Sequence, residues 1–396
     1  MVEFLPFRGL RPQLREAEPA IVRVSPPYDV IGKEQLLRLK SFPHNVTQIT
    51  LGADESGYVN AGRTLRAWVE EGVLALDAEP AYYIYEQELT HEGHKKLRRG
   101  VMGALAATGY APGGVIPHEE TFSKVKEDRL SLLRGVEAHC ESIFGIARID
   151  PQMLEAVSKR GKEVFACADE QKVRHSLRMV TNIEDIKHLQ SSLQRETMLI
   201  ADGHHRYETS VNYAKENPGS RAKQYVLATI VPSEDTGLVV EPTHRVVAGL
   251  HSSPAEVKAL LSKTLTLTPV AKTDLLSKLK TADGKGMGLV TRDACYLCMP
   301  TRVGSEPLWE VDTYLCEKLI MEPLLAVEDG ATIIYEHQAS VAMGKVERGG
   351  ADMAVLLSPP SMEIIWKVAM AGLKMPKKST YFWPKMWSGL LYYPMW

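Results

Sequence analysis

The chain has 396 residues, 47 Lys and Arg against 49 Asp and Glu, and a formal net charge of -2. That length exceeds one ordinary hydrophobic core and predicts two domains, and the 44% hydrophobic and 24% charged fractions are those of a soluble globular protein. A near-neutral balance gives no overall basic field to recruit nucleic acid, and no apolar run approaches the roughly 18 to 20 residues that cross a bilayer.

Charge and proline within the first eleven residues argue against a signal peptide, so a cytoplasmic protein without a membrane partner is expected. The opening is punctuated by prolines, with Ser25-Pro26-Pro27-Tyr28-Asp29-Val30-Ile31 reading as an extended stretch or turn. Leu65, Trp68 and Val69 stand at helical spacing in Ala61–Gly72, which closes on a glycine. Ala81–Leu89 and Arg99–Tyr110 read as strands, with Glu92-Gly93 turning the hairpin. Gly113–Phe122 is a polar loop, and a helix is predicted over Glu127–Cys140, with Leu130, Leu133 and Val136 on one face.

Asp150–Arg195 alternates helix, strand, strand and helix, and Asn182-Ile183-Glu184-Asp185 fits a capping box before the last helix. Met198–Ile200 is a short buried strand that stops at Asp202-Gly203-His204-His205-Arg206, and a helical pattern starts at Tyr207. Further on, Gln224–Pro232 and Val239–Val247 read as strands, the latter interrupted by Pro242-Thr243-His244-Arg245. Ser253–Lys263 and Thr273–Lys280 read as helices, and Met287–Val290 and Ala294–Met299 as a strand pair. The pattern then alternates strand and helix over Ile333–Tyr335, Glu336–Val346, Met353–Leu357 and Met362–Ala371. Mixed elements in both halves predict an α+β (mixed α/β) fold, divided near residue 150 into an N-terminal domain, 1–150, and a second domain, 151–396.

The Asp202 turn carries the strongest chemical signal. A strand, a glycine turn and a helix start aim backbone N–H groups and a helix dipole at an anion. Gly203 suits positive φ, Arg206 offers a planar fork for phosphate or carboxylate, and Asp202 is the candidate metal ligand. The simpler reading is a polar turn whose histidines satisfy buried backbone groups.

His118-Glu119-Glu120-Thr121 forms a second cluster. Phe122 stands where a zinc-peptidase motif needs its second histidine, so that reading is rejected. A glutamate here could serve as general base, while a solvated acidic loop is the plain alternative. His244 and Arg245 at a strand end, and Lys377, Lys378, Ser379 and Thr380 in the tail, supply cations beside hydroxyl donors that suit phosphate. An ion-paired arginine and an exposed basic tail are the competing readings. Tyr28 and Asp29 either line a pocket or form a rigid turn. Cys295 and Cys298 are the one CxxC among five cysteines, lack further zinc ligands, and read with the others as reduced thiols. Trp383, Trp387, Tyr392, Tyr393 and Trp396 read as a packed or interfacial strand. No Walker A, GxGxxG or serine-centred nucleophile elbow is present.

Five segments in order, Pro26-Pro27-Tyr28-Asp29-Val30, Pro117–Thr121 with Lys126–Leu130, Ala201–Arg206, Pro242–Arg245 and Met375–Phe382, resemble the domain of unknown function 1015 family over nearly the whole chain. The Asp202 turn also resembles the Asp-Gly-His-x-Arg turn of the ParB/sulfiredoxin-like fold, which includes free serine kinases. The resemblance implies a ParB/sulfiredoxin-like core with an additional mixed domain. It also implies a kinase acting on a free hydroxyl amino acid, L-serine giving O-phosphoserine, with Mg²⁺ and ATP or ADP. Asp202, Gly203, His204 and Arg206 match the phosphate-binding turn. On chemical grounds Glu119, then Glu120, is nominated as base, His205, His244, Arg245, Lys377, Lys378, Ser379 and Thr380 as nucleotide contacts, and Tyr28, Asp29, His118 and Thr121 as acceptor contacts. A metal-dependent hydrolase and a ParB-like nucleic-acid-binding protein or nuclease are the alternatives. The oligomeric state is left open, a homo-oligomer included.

Overall fold

The computed structural model describes residues 2–14, 18–54, 56–120, 123–282 and 286–396. The fold is mixed α/β, and the chain divides into two compact units. The first comprises 1–117, 121–239 and 384–396, and the second 118–120 and 240–383. The boundary expected near residue 150 falls inside the first unit instead. Strands on both sides of it pair in one sheet, a long-range arrangement that local pattern does not encode.

In the first unit the sheet strands are β1 (Phe4–Leu5), β2 (Tyr82–His91), β3 (His94–Ala106), β4 (Val115–Ile116), β5 (Ile143–Ala147), β6 (Lys162–Ala168), β7 (Arg174–Val180), β8 (Met198–Asp202) and β9 (Tyr225–Pro232). Their order is β4-β8-β5-β9-β3-β2-β7-β6, with β1 also on β3. β4 runs parallel to β8 and β9 to β5, and the other pairs are antiparallel. Glu92 and Gly93 both have positive φ, 47° and 80°, which matches the right-handed twist of a two-residue hairpin and sets His91 opposite His94.

The helices that matter here are α1 (Ser123–Val136), α2 (Pro151–Arg160), α3 (Ile183–Gln194) and α4 (His204–Glu216). α1 ends earlier than expected. Glu137 turns left-handed (φ 53°), held by Arg66 at 2.7 Å and Lys223 at 2.6 Å, and Ala138–His139 then pairs with Tyr393–Pro394 from the C-terminus. At the start of α3, Asn182 caps as expected by accepting the N–H groups of Glu184 and Asp185. The reciprocal half of the box is replaced, because the Asp185 carboxylate pairs with Arg160. A buried cluster including Tyr82, Leu105, Ile143, Leu189, Ile200, Tyr207 and Val226 forms the core of this unit. The aromatic C-terminus packs in part. Tyr392 is buried and exchanges two backbone hydrogen bonds with Leu10, whereas Trp396 is exposed.

The second unit holds a fully antiparallel six-stranded sheet of β10 (His244–Ala248), β11 (Leu265–Val270), β12 (Met287–Thr291), β13 (Cys295–Pro300), β14 (Thr332–Glu336) and β15 (Met353–Leu356), in the order β11-β13-β12-β15-β10-β14. Its core gathers Val247, Leu261, Leu289, Ile320 and Val355. Cys295 and Cys298 lie on β13, and all five cysteines are free thiols. Among the described residues no helix is long and apolar enough to cross a membrane.

Candidate functional site

β8 delivers Asp202 to the edge of the first unit's sheet, and the chain reverses through Gly203 (φ 88°) into α4. Gly203 stands at the N-cap of α4, so the positive end of the helix dipole lies beside the Asp202 carboxylate. A Cβ on residue 203 would come within 3.0 Å of the Arg206 guanidinium. Glycine is therefore required both by its φ and by the close approach of that side chain. The helix begins at His204, three residues before the expected start, because Gly203 itself takes the N-cap position.

Asp202 is held from two sides. Lys385 Nζ donates to Oδ1 at 3.0 Å, and Arg206 Nη2 to Oδ2 at 3.3 Å. Burial acts to raise the Asp202 pKa, but Lys385, Arg206 and His204 outweigh it and hold the carboxyl well below the usual carboxylate range. Burial acts to lower the Arg206 pKa, but Glu141, Asp202, Tyr28 and Asp29 together raise it. Arg206 Nη1 also donates to the Ser142 carbonyl at 2.6 Å, which fixes the guanidinium against the end of β5.

Lys385 is itself braced. The Gln87 side chain donates to the Lys385 carbonyl at 3.0 Å, and the buried Arg98 donates to Gln87 Oε1 and to the Pro384 carbonyl. Tyr28 lies beside this group. Its N–H approaches Glu141 Oε1 at 3.4 Å, the Arg129 guanidinium stacks on its ring at 4.2 Å, and burial pushes its phenol up to about 12. Asp29 is exposed.

A small recess of about 30 Å³ lies between α1 and α4, lined by Arg129, His139, Cys140, Glu141, Arg206 and Ser210 among others. Burial pushes His139 down to about 4, so it is neutral near pH 7. Lys385, Glu141 and Arg129 are functional candidates that sequence reasoning did not nominate. Lys385 and Glu141 carry no local signal, since long-range packing alone brings them to the Asp202 turn, and Arg129 falls in the Lys126–Leu130 segment without a role read for it there.

In the second unit, three motifs that are separate in sequence form one cluster. The Met375 N–H donates to the His118 carbonyl at 2.8 Å, which docks residues 118–120 alongside the tail. Glu119 accepts the N–H groups of Lys378 at 2.8 Å and Ser379 at 3.2 Å, one on each carboxylate oxygen. His118 Nε2 lies 2.8 Å from Thr380 Oγ1. Ser379 Oγ donates to the Pro376 carbonyl and contacts Thr313 Oγ1 at 2.7 Å. The buried Arg245 donates to the Thr243, Lys378 and Lys377 carbonyls and stacks over Tyr335. His244 Nδ1 accepts the Leu357 N–H at 3.1 Å, and burial pushes this imidazole down to about 4. Glu120 and Lys378 are exposed, and Lys377 is half-buried. Thr121 lies outside the described residues.

Among the described residues no group of three or more His, Cys, Asp or Glu side chains is placed to hold a metal ion. With Lys385 and Arg206 on its oxygens, Asp202 offers at most one carboxylate to a cation. This donor set fits a cation carried in on phosphate oxygens and does not form an all-protein cage.

Comparison with known proteins gives the following. No curated protein matches the chain. A solved structure of a free serine kinase in complex with AMP aligns with a TM-score of 0.41 and 15% identity, covering 74% of this chain and 89% of that one. A conserved hypothetical protein from Pyrococcus furiosus aligns at 0.39 and 14%, covering 72% and 92%. SbnI with a C-terminal truncation from Staphylococcus aureus aligns at 0.37 and 12%, covering 72% and 84%. The family described as protein of unknown function (DUF1015) matches residues 4–314, and the chain belongs to it.

Proposed function

We propose that the protein is a small-molecule kinase that transfers a nucleotide phosphoryl group to the hydroxyl of a free amino acid, L-serine giving O-phosphoserine. The observation that carries this reading is the Asp202 carboxylate set between Lys385 and Arg206 at the start of α4. Phosphoryl transfer asks mainly for positioning and charge stabilisation, and two cations beside a row of helix N–H groups supply both.

In the proposed reaction the serine Oγ forms a bond to the terminal phosphorus of ATP or ADP. The bridging P–O bond breaks, the shorter nucleotide leaves, and the hydroxyl proton passes to a carboxylate base. Arg206, Lys385 and the Gly203–His205 backbone bind phosphate oxygens, and Asp202 keeps both cations aimed. Mg²⁺, when bound, neutralises phosphate charge, with Asp202 its one candidate protein ligand in this turn. In the second unit, taken by itself, His244, Arg245, Lys377, Lys378, Ser379 and Thr380 are kept as proposed phosphate contacts, in which Arg245 and Glu119 shape the loop and Lys377 and Lys378 present charge.

For the base, the hydrogen bonds favour revising the order. Both oxygens of Glu119 already accept backbone N–H groups. Asp29 is exposed and near enough to Arg206 to raise the guanidinium pKa, which sets it beside the Asp202 turn and makes it the first candidate, with Glu120 as the comparison. Serine-dependent consumption of nucleotide by the purified protein, absent in Arg206→Ala, tests the reading. Nucleotide turnover that is indifferent to added hydroxyl compounds would count against it.

A further inference from the structure

The recess between α1 and α4 has a lining unlike that of a phosphate site. Glu141 is buried, with a side chain 6% exposed. Its Oε1 accepts the Ser388 hydroxyl at 3.0 Å and the Tyr28 N–H at 3.4 Å. Its Oε2 makes none of the described hydrogen bonds, and Arg129 Nη1 stands 3.9 Å away. Oε2 is thus held in an ion pair with Arg129 without a hydrogen bond, and its lone pairs can accept from an added charged donor.

Two guanidinium groups line the same recess, and neither is spent. Arg129 uses Nε and Nη2 on Asp128 and Tyr58 and one Nη1 proton on the Thr50 carbonyl. Arg206 uses one proton on Ser142 and one on Asp202. The hydroxyls of Thr209 and Ser210 and the neutral His139 complete the polar lining. Counted with their outer partners Asp128, Asp202 and Lys385, the guanidiniums and Glu141 balance to no net charge while both signs line the recess. That complements a zwitterion and offers no advantage to a phosphate dianion.

The recess is half open, and its space of about 30 Å³ holds about two water-sized groups. Such a space takes the charged head of an α-amino acid and leaves its side chain toward the open mouth. We infer that this recess, between Glu141 and the guanidiniums of Arg129 and Arg206, is the acceptor subsite, and that it recognises a zwitterionic amino acid by its ammonium and its carboxylate together. The inference rests on the kinase reading for the word acceptor, but the binding it asserts does not depend on turnover.

Calorimetric titration of the full chain with L-serine, ethanolamine (no carboxylate) and 3-hydroxypropionate (no ammonium), with AMP present throughout, tests it. L-serine is expected to bind at least about tenfold more tightly than either truncated compound, since each loses a charge-assisted hydrogen bond. Glu141→Gln is expected to weaken L-serine by about tenfold or more, to leave 3-hydroxypropionate unchanged and to leave AMP affinity unchanged. Thermal melting of the variant checks that it is folded. If it is not, the three-ligand comparison on the natural protein decides alone. Equal binding of L-serine and ethanolamine, or no binding of L-serine, overturns the inference. Selective binding of L-serine without phosphorylation upholds the subsite and removes the kinase reading, so the two failures are distinct.

Discussion

Lys385 Nζ lies 3.0 Å from Asp202 Oδ1 across a separation of 183 residues. This contact ties the C-terminal segment to the turn at the end of β8 and, in the proposed kinase, sets Lys385 among the phosphate contacts. Lys385→Met should weaken nucleotide binding by about 10- to 100-fold, the effect of losing a hydrogen bond to a charged group, worth about 1.5–3 kcal/mol. Titration calorimetry with ADP reads this directly. An unchanged Kd would leave Lys385 with a structural role only.

Gly203→Ala probes the turn itself. A non-glycine residue at φ 88° costs about 1–3 kcal/mol, and the new Cβ would displace the Arg206 guanidinium it meets at 3.0 Å. The variant should therefore lose stability in urea and nucleotide affinity together. Lost stability with full affinity would mean that Arg206 reaches its ligand by another path.

The three carboxylates considered as base should separate cleanly. Glu119→Gln removes a charged acceptor from the Lys378 and Ser379 N–H groups, so the expected effect is a loss of about 1–3 kcal/mol in stability with turnover reduced less than about tenfold. Asp29→Asn should keep the fold and lose about 100-fold or more in kcat, within the range for a missing general base. Steady-state kinetics on Glu119→Gln, Glu120→Gln and Asp29→Asn, each with a melting curve, orders them. A kcat collapse confined to Glu120→Gln would move the role to that residue.

The buried histidines give an acid-lability prediction with a definite sign. His139 has an ordinary pKa of 6.5 when unfolded and about 4 when folded, because burial disfavours the imidazolium. Between those values the unfolded chain binds a proton that the folded chain refuses. Stability is therefore lost as pH falls from 6.5 toward 4, by up to about 3 kcal/mol. His175, also depressed by burial, acts in the same direction. In the second unit His244 behaves likewise, but burial raises Asp312 to about 6, so the folded state there gains a proton as pH falls through the same window. The two offset each other. Amide exchange in β9, on the first unit, should accelerate between pH 6.5 and 4.5 after correction for intrinsic rates, and less so in His139→Asn.

Local chemistry was readable where short-range rules apply. Glu92-Gly93 turns its hairpin because both residues take positive φ, and Asp202-Gly203 turns from strand to helix as its order of residue types implies. The grouping of sites was only partly readable. His118 and Glu119, Thr243–Arg245 and Lys377–Thr380 each stand out by composition, yet nothing in sequence says that Glu119 accepts the Lys378 N–H or that Arg245 binds the Lys377 carbonyl. Lys385 and Glu141 were invisible as site residues. Their roles come from sheet order and from the return of residues 384–396 to the first unit. The same long-range pairing moved the division of the chain away from residue 150 and ended α1 at Val136.

Mass-spectrometric detection of O-phosphoserine after incubation of the full chain with L-serine, Mg²⁺ and either ATP or ADP, beside an Asp202→Asn control, tests the kinase proposal. Phosphoserine from the natural protein with one or both donors, and loss of about 100-fold or more in the folded control, is the expected result. Folded protein that yields no phosphorylated product from L-serine or from a panel of other small hydroxyl compounds would contradict the account.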